Sequence, residues 1–395
     1  MVHDKARIKL GVENLIENKV EILRGLRVGL ICNQSSVTKK LFHSADLLRN
    51  SERINITTLF GPQHGIRGDV QDNMIETPHS TDRKTGLRVY SLYSETREPI
   101  EEMLENVDVL VFDMQDVGCR VYTFIYTLAN AMRVAARSRK KVVVCDRPNP
   151  INGNAIEGNL LEAGFASFVG QFPIPMRHGM TVGELAKMFN EHFGIQCELE
   201  VVEMFGWKRD LYMDETDAPW VMPSPNMPTV ETSKVFSGTV LLEGTMLSEG
   251  RGTTRPFEIV GAPFVNNQEF ARHLSDMGLE GVFFRENGFQ PTFQKHVGKT
   301  CEGVQIHITD QEKFEPVKTG VAVVKTAYDL YKGNGFEWKE PPYEYVFDKL
   351  PFDVIAGTDS IRKEIESGET LGNITKGWKR DRDEFERLRQ PYLLY

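Results

Sequence analysis

Side chains able to move a proton or hold a polar ligand gather in a few short segments of this chain. In the first half these are Asn33-Gln34, Gly61-Pro62-Gln63-His64-Gly65, Asp113-Met114-Gln115-Asp116 with Gly118, Arg120 and Tyr122 behind it, and Asp146-Arg147-Pro148-Asn149. The second half adds Arg177-His178-Gly179, a Pro-rich loop carrying Asn226, and Glu243-Gly244-Thr245 followed by Ser248-Glu249-Gly250-Arg251 and Arg255. Carboxylates, amides, Tyr, His and Arg on Gly- and Pro-rich backbone suit a polyhydroxylated, partly anionic ligand. They also suit glycoside chemistry, which needs a proton donor and a second group facing the positive charge that develops at the anomeric carbon. Each segment has an ordinary structural use as well. Asp and Asn cap helices and form turns, and Arg251 with Glu249 or Arg147 with Asp146 are candidate internal ion pairs. Thr181 with Glu184 three residues on reads as a capping box.

Other chemistries lack their signatures. The chain has no GxxxxGK[ST], no GxGxxG after its first β-branched run, no GxSxG and no HExxH, so nucleotide, serine-hydrolase and zinc-protease readings are disfavoured. No two histidines stand at helical metal spacing. The five cysteines are odd in number and form no CxxC, which argues against a disulfide framework or a zinc site. No metal and no cofactor is expected.

The elements that must position these residues can be read from periodicity. Short β-branched runs at 26–34, 54–63, 88–93, 107–116 and 140–150 alternate with helical spacing, clearest at Tyr122, Ile125, Leu128, Ala129, Met132 and Ala136. Several runs are continuously apolar, as strands covered on both faces are. This predicts an α/β fold with a Rossmann-like, doubly wound parallel sheet. Ligands of such sheets bind beyond the carboxyl ends of the strands, so Asn33, His64, Asp116 and Asp146 are expected to face one cleft. After residue 150 the texture changes to Gly/Pro-rich loops. A helix follows from Thr181, then strands at 197–203, 281–285 and 303–309 and helices at 315–332 and 375–390. The expectation is two domains, 1–158 and 159–395, the second mixed α/β, with the site in the cleft between them.

Composition sets outer bounds. The 395 residues are 40% hydrophobic and 26% charged, as in soluble globular proteins. With 47 basic and 56 acidic residues the formal charge is −9, which gives no long-range attraction for nucleic acid. No apolar run approaches the roughly 18 residues of a membrane span. The N-terminus lacks the apolar segment of a signal peptide. The chain is expected in the cytoplasm if it is full length, and in the periplasm or outside if a leader was removed. Its oligomeric state cannot be read from these features.

Six stretches together carry a resemblance: LFGPQHGIRG, VDVLVFDMQDVGCRVYT, DRPNPINGNAIEG, RHGMTVGELA, WVMPSPNMPT and LLEGTMLSEGRGTTRPFEIVGAP. From about residue 10 to the final YLLY, the chain resembles the exo-β-N-acetylmuramidase (NamZ-type) family, long catalogued as a domain of unknown function. The resemblance implies a bacterial glycosidase of cell-wall degradation. Such an enzyme removes terminal N-acetylmuramic acid from the non-reducing ends of peptidoglycan fragments, in a cleft between a Rossmann-like and a second domain. One departure stands out. Many members read PEHG where this chain reads Pro62-Gln63-His64-Gly65, and Gln cannot donate a proton as a carboxyl does. Either another carboxyl serves, Glu76 being the next glutamate along the chain, or this member binds an amino sugar without cleaving it or cleaves a different one.

The catalytic candidates are accordingly Glu76, Glu249, Asp116 and His64. The substrate-binding candidates are Gln63, Arg120, Tyr122, Asp146, Arg147, Asn149, His178, Asn226, Glu243, Arg251 and Arg255. A guanidinium is the expected reader of the lactyl carboxylate that distinguishes muramic acid from glucosamine, with Arg120, Arg147, Arg251 and Arg255 as candidates. An N-acetylated sugar carries its own nucleophile, the acetamide oxygen. Substrate-assisted hydrolysis then needs one general acid, Glu76 before Glu243 or Glu249, and a group such as Gln63 or Asp116 to hold the amide.

Overall fold

The computed structural model describes residues 5–62, 64–68, 79–93 and 97–395. Twelve strands occur among them: β1 Arg27–Cys32, β2 Asn55–Gly61, β3 Ser80–Thr81, β4 Arg88–Ser91, β5 Val109–Asp113, β6 Lys141–Cys145, β7 Glu157–Leu160, β8 Pro175–Arg177, β9 Glu198–Val202, β10 Ile259–Ala262, β11 Val282–Phe289 and β12 Cys301–Ile308. The main sheet has the order β3-β4-β2-β1-β5-β6-β9 and is parallel except for the short β3.

The continuous apolar runs are explained by burial on both faces. Val109 and Val111 of β5 point into one core with Val28 and Leu30, while Leu110 and Phe112 point into the other. Helices α1 (Gly11–Asn18) and α2 (Ser44–Arg49) cover the first face, with Val12, Leu15, Ala45 and Leu48 inward. Helices α3 (Phe124–Arg137) and α4 (Val182–Glu191) cover the second with Ile125, Leu128, Leu185 and Phe189. This is the doubly wound arrangement that strand–helix alternation predicts.

The strand expected at 197–203 does not join the second unit. Its residues, as β9, pair in parallel with β6 and form the far edge of the first sheet. The main sheet therefore runs past residue 158, and a Gly/Pro-rich excursion carrying β7 and β8 interrupts it in sequence only.

The second unit is built on α5 (Val230–Thr239), α6 (Asn267–Asp276) and α7 (Pro316–Tyr331) around the antiparallel sheet β10-β12-β11. Helices α5 and α7 approach closely at Gly238 and Gly320. A Cβ on Gly238 would stand 1.8 Å from the Pro316 carbonyl oxygen, so only glycine allows this crossing. The core beneath α3 continues without a break into Phe236, Val240, Val260 and Phe352 of the second unit. One apolar body therefore joins the two.

Candidate functional site between the two units

The carboxyl ends of β1, β5 and β6 are as polar as the sequence indicates, but their side chains mostly bind one another. Asn33 donates from Nδ2 to the Pro223 carbonyl and accepts from Ser35. Asp113 receives two parallel hydrogen bonds from Arg147, at 2.7 and 3.0 Å, and Arg147 also donates to the Val37 carbonyl. Asp146 accepts from the Gly183 amide at 2.8 Å and from the Thr181 and Tyr395 hydroxyls at 2.7 and 2.8 Å, which ties α4 to β6. Burial and the nearby Glu184 push its pKa up to about 7. Asn149 bridges the Met180 carbonyl and the Ile151 amide.

Asp116 and His178 face each other at 3.6 Å, both buried. The Met180 amide donates to His178 Nδ1. In the neutral imidazole the proton therefore sits on Nε2, toward Asp116. Arg120 is fully buried, and its Nη atoms donate to the carbonyls of Asn159, Ile174, Ile355 and Ala356.

These contacts revise several expectations. Arg120, Asp146, Arg147, Asn149, Asp116 and His178 are read from the sequence as touching substrate. The structure engages most of their polar atoms with backbone and with each other, Asp116 Oδ1 and His178 Nε2 being buried without a hydrogen-bond partner, and none lines the cavity described next. The physical reason is common to them. A carboxyl edge roofed by the 220–228 loop and the C-terminal tail leaves buried polar groups that must be satisfied internally. Arg255 also stands apart, half-exposed and paired with Glu258 at 3.2 Å.

The cavity, about 650 Å³ with its open mouth, lies one layer further out, where both units meet. The first unit contributes His64, the Val121–Phe124 turn before α3, and Ser224 and Asn226. The second contributes Glu243, Arg251, Phe257, Tyr343 and Glu344. The wall is largely apolar. Tyr122 packs edge-on against Phe124 and Phe236, and its hydroxyl is buried at the cavity beside the Ser224 side chain. An apolar wall with a few convergent polar groups is the usual constitution of a small-ligand site.

The polar groups form one connected cluster. Glu243 lies in the 3-10 segment Val240–Gly244 that continues α5. It pairs with Arg251 Nη2 at 2.7 Å and accepts from the Tyr343 hydroxyl at 2.8 Å. Arg251 is aimed by a glycine before it: Gly250 has φ +77°, and a Cβ there would lie 2.5 Å from the Ile259 carbonyl oxygen. Its guanidinium lies over the Phe257 ring. Glu249 lies beneath, 2% exposed, between Arg251 Nη1 at 3.3 Å and Lys295 Nζ at 2.9 Å. These two cations hold its carboxyl well below the usual carboxylate range. Glu249, a sequence candidate for the catalytic acid, is thus held between two cations and is not among the residues lining the cavity.

Of the sequence candidates, the cavity brings together His64, Tyr122, Asn226, Glu243 and Arg251. Gln63 and Glu76 lie outside the described residues. Tyr343, Glu344 and Lys295 were missed. The PPYEYVF stretch contains no histidine, amide or glycine to draw attention, and Lys295 reaches Glu249 across 46 positions.

Comparison with known proteins places this architecture. The family model described as exo-β-N-acetylmuramidase NamZ, N-terminal, matches residues 28–231, and its C-terminal counterpart matches 234–395. The chain is 47% identical over 392 residues to the peptidoglycan β-N-acetylmuramidase NamZ of Bacillus subtilis (strain 168), covering 99% of this chain and 92% of that protein. Two crystal structures of DUF1343 family proteins from Bacteroides fragilis NCTC 9343 share the fold. One has TM-score 0.89 and 38% identity, covering 99% of this chain and all of the other. The second has TM-score 0.78 and 29% identity, covering 98% and 99%. Matched along both of its units and nearly end to end, the chain belongs to the exo-β-N-acetylmuramidase NamZ family.

Proposed function

We propose that the chain is a glycoside hydrolase that releases terminal N-acetylmuramic acid from the non-reducing ends of peptidoglycan fragments, and that the interdomain cavity is where it does so. Family membership supports the activity. The observation that carries the location is the Glu243–Arg251–Tyr343 cluster in a cavity that both units line.

Arg251 reads the lactyl carboxylate. It is the one of the four candidate arginines that lines the cavity, and its buried Nε has no hydrogen-bond partner. Both Nη atoms are held by Glu243 and Glu249, so the substrate carboxylate reaches the guanidinium by taking over one of those hydrogen bonds. Glu243, paired with Arg251, faces the positive charge that develops at the anomeric carbon. The acetamide oxygen of the substrate forms the new bond to C1 as the glycosidic C1–O bond breaks, and water then opens the cyclic intermediate. Asn226 is placed to hold that acetamide in place of Asp116, which stands behind the wall.

A nitrophenyl β-glycoside of N-acetylmuramic acid tests this directly. Purified protein is expected to release nitrophenol from it and to leave the N-acetylglucosamine analogue largely intact. Saturable binding of the muramic glycoside with no product would make the chain a sugar-binding relative instead.

A further inference from the structure

We propose that Glu344, presented at the tip of a strained two-residue turn, is the general acid of this cavity. The proposal rests on reading the cavity as the glycosidase site and adds the proton donor that the reading lacks.

The turn is Tyr343-Glu344-Tyr345-Val346. It is closed by the Tyr343 amide donating to the Val346 carbonyl at 3.0 Å and the Val346 amide donating back at 2.9 Å. Glu344 has φ +44° and Tyr345 φ +66°. Positive φ at both central residues is the geometry that Asn-Gly normally supplies at little cost. Here a glutamate and a tyrosine occupy it, which costs energy and persists only where the surroundings impose it.

The surroundings hold the turn from both units. Tyr343 donates its hydroxyl to Glu243 of the second unit. Tyr345 accepts at its hydroxyl from Arg97 Nη2 of the first unit at 2.6 Å, and the Arg97 guanidinium lies between the Tyr345 and Tyr93 rings at 5.0 and 4.8 Å. Glu344, between the two anchored tyrosines, is left lining the cavity.

Its charge environment suits a donor. Partial burial and the negative Glu243 oppose ionisation and outweigh the cations Arg97, Arg251 and Lys339, so its pKa is raised. Among the described residues lining the cavity, Glu243 is the other carboxylate, and it is paired with Arg251 at 2.7 Å. Two neighbouring carboxyls with opposed environments are the usual division between acid and anion.

The step is a proton transfer. Glu344 gives its proton to the glycosidic oxygen as the C1–O bond breaks, and the sugar on that side leaves with a hydroxyl. When water adds at C1, the Glu344 carboxylate takes the proton that water loses and returns to its starting state.

The test compares Glu344→Gln with the unaltered protein on two substrates, a muramic-acid-terminated disaccharide and the nitrophenyl glycoside. Loss of the acid is expected to lower turnover on the disaccharide by about two to four orders of magnitude. The nitrophenyl substrate, whose leaving group needs little protonation, should lose no more than about tenfold. The alkaline limb of the kcat/KM–pH profile should disappear. Because the carboxyl binds its proton more tightly in the folded state, its ionisation costs stability as pH rises past the ordinary carboxylate range. The Gln variant should therefore melt at the same temperature as the unaltered protein or higher at neutral pH. Should it not fold, Glu344→Asp, which keeps the group one methylene shorter, should lose disaccharide turnover while retaining the alkaline limb.

Equal losses on both substrates, unchanged turnover on the disaccharide, or a retained alkaline limb in the Gln variant would overturn the assignment. If the unaltered protein cleaves neither substrate, the reading of the cavity fails. If it cleaves both and Glu344→Gln matches it, Glu344 alone is eliminated.

Discussion

Arg251 and Glu249 are two residues apart and do different work because of which atoms face the cavity. Arg251 lines the cavity with its Nε buried and unpartnered and both Nη atoms bound to carboxylates. Lys in its place keeps a charge but loses the planar edge. Arg251→Lys is therefore expected to cut the preference for muramic over glucosamine glycosides by about 10- to 100-fold, the worth of one or two hydrogen bonds to a charged group. Comparing kcat/KM for the two nitrophenyl sugars measures it, and unchanged discrimination would move the lactyl group elsewhere. Glu249 serves stability. Its folded pKa lies below the unfolded value, so the stability it contributes is present above the ordinary carboxylate range and lost as pH falls below it. Replacing it by Gln strands Lys295 in the interior. A cost of about 3–5 kcal/mol at pH 7 is expected, with a shallower loss of stability on acidification. Denaturant titrations at neutral and acid pH check both points.

At the scale of elements, α4 shows how the chain tail is recruited. Thr181 and Glu184 form the capping box that their spacing announces, and Asp146 supplies a further acceptor for the Gly183 amide. Glu184 also accepts from Arg209 and the Leu394 amide, and the Tyr395 hydroxyl donates to Asp146 while accepting from the Met204 amide. Tyr395→Phe leaves a buried carboxylate and a backbone amide each short of one partner. It is expected to cost about 1–3 kcal/mol, read as a fall in melting temperature with kcat unchanged. Because Asp146 titrates near 7 when folded, its contribution is greatest below the unfolded carboxylate pKa and declines as pH rises through 7.

Elements with a strong local signal were readable in the sequence. The period of α3, the capping box of α4 and the buried strands β1, β5 and β6 all formed where their patterns lie. β9 was assigned to the wrong unit because its Glu-Leu-Glu-Val-Val alternation marks an edge strand without saying of which sheet. The 343–346 turn was unreadable for a sharper reason: its left-handed residues are Glu and Tyr, so the Gly or Asn that announces such a turn is absent.

Over the whole molecule, much of the polar carboxyl edge of the doubly wound sheet is engaged internally, and the candidate site lies further out, at the junction with the second unit. Arg120 illustrates the change. It stands at the segment joining β5 to α3, and its four carbonyl partners come from β7, the approach to β8, and the 355–356 segment of the second unit. It binds the two units together and does not reach for substrate. The resemblance points to a site between the units, where the cavity lies, and Tyr122, Asn226, Glu243 and Arg251, legible in the sequence as polar candidates, line it. Which polar groups would be consumed internally was not, because that depends on the 220–228 loop and the C-terminal tail folding over the edge from far along the chain.

The central claim is that this cavity removes one muramic acid at a time from a non-reducing end. Mass spectrometry of products from a short, defined glycan with muramic acid at that end tests it most directly. The account predicts free N-acetylmuramic acid and a glycan shortened by one sugar. Internal fragments, or an intact glycan in the presence of saturating protein, would contradict it.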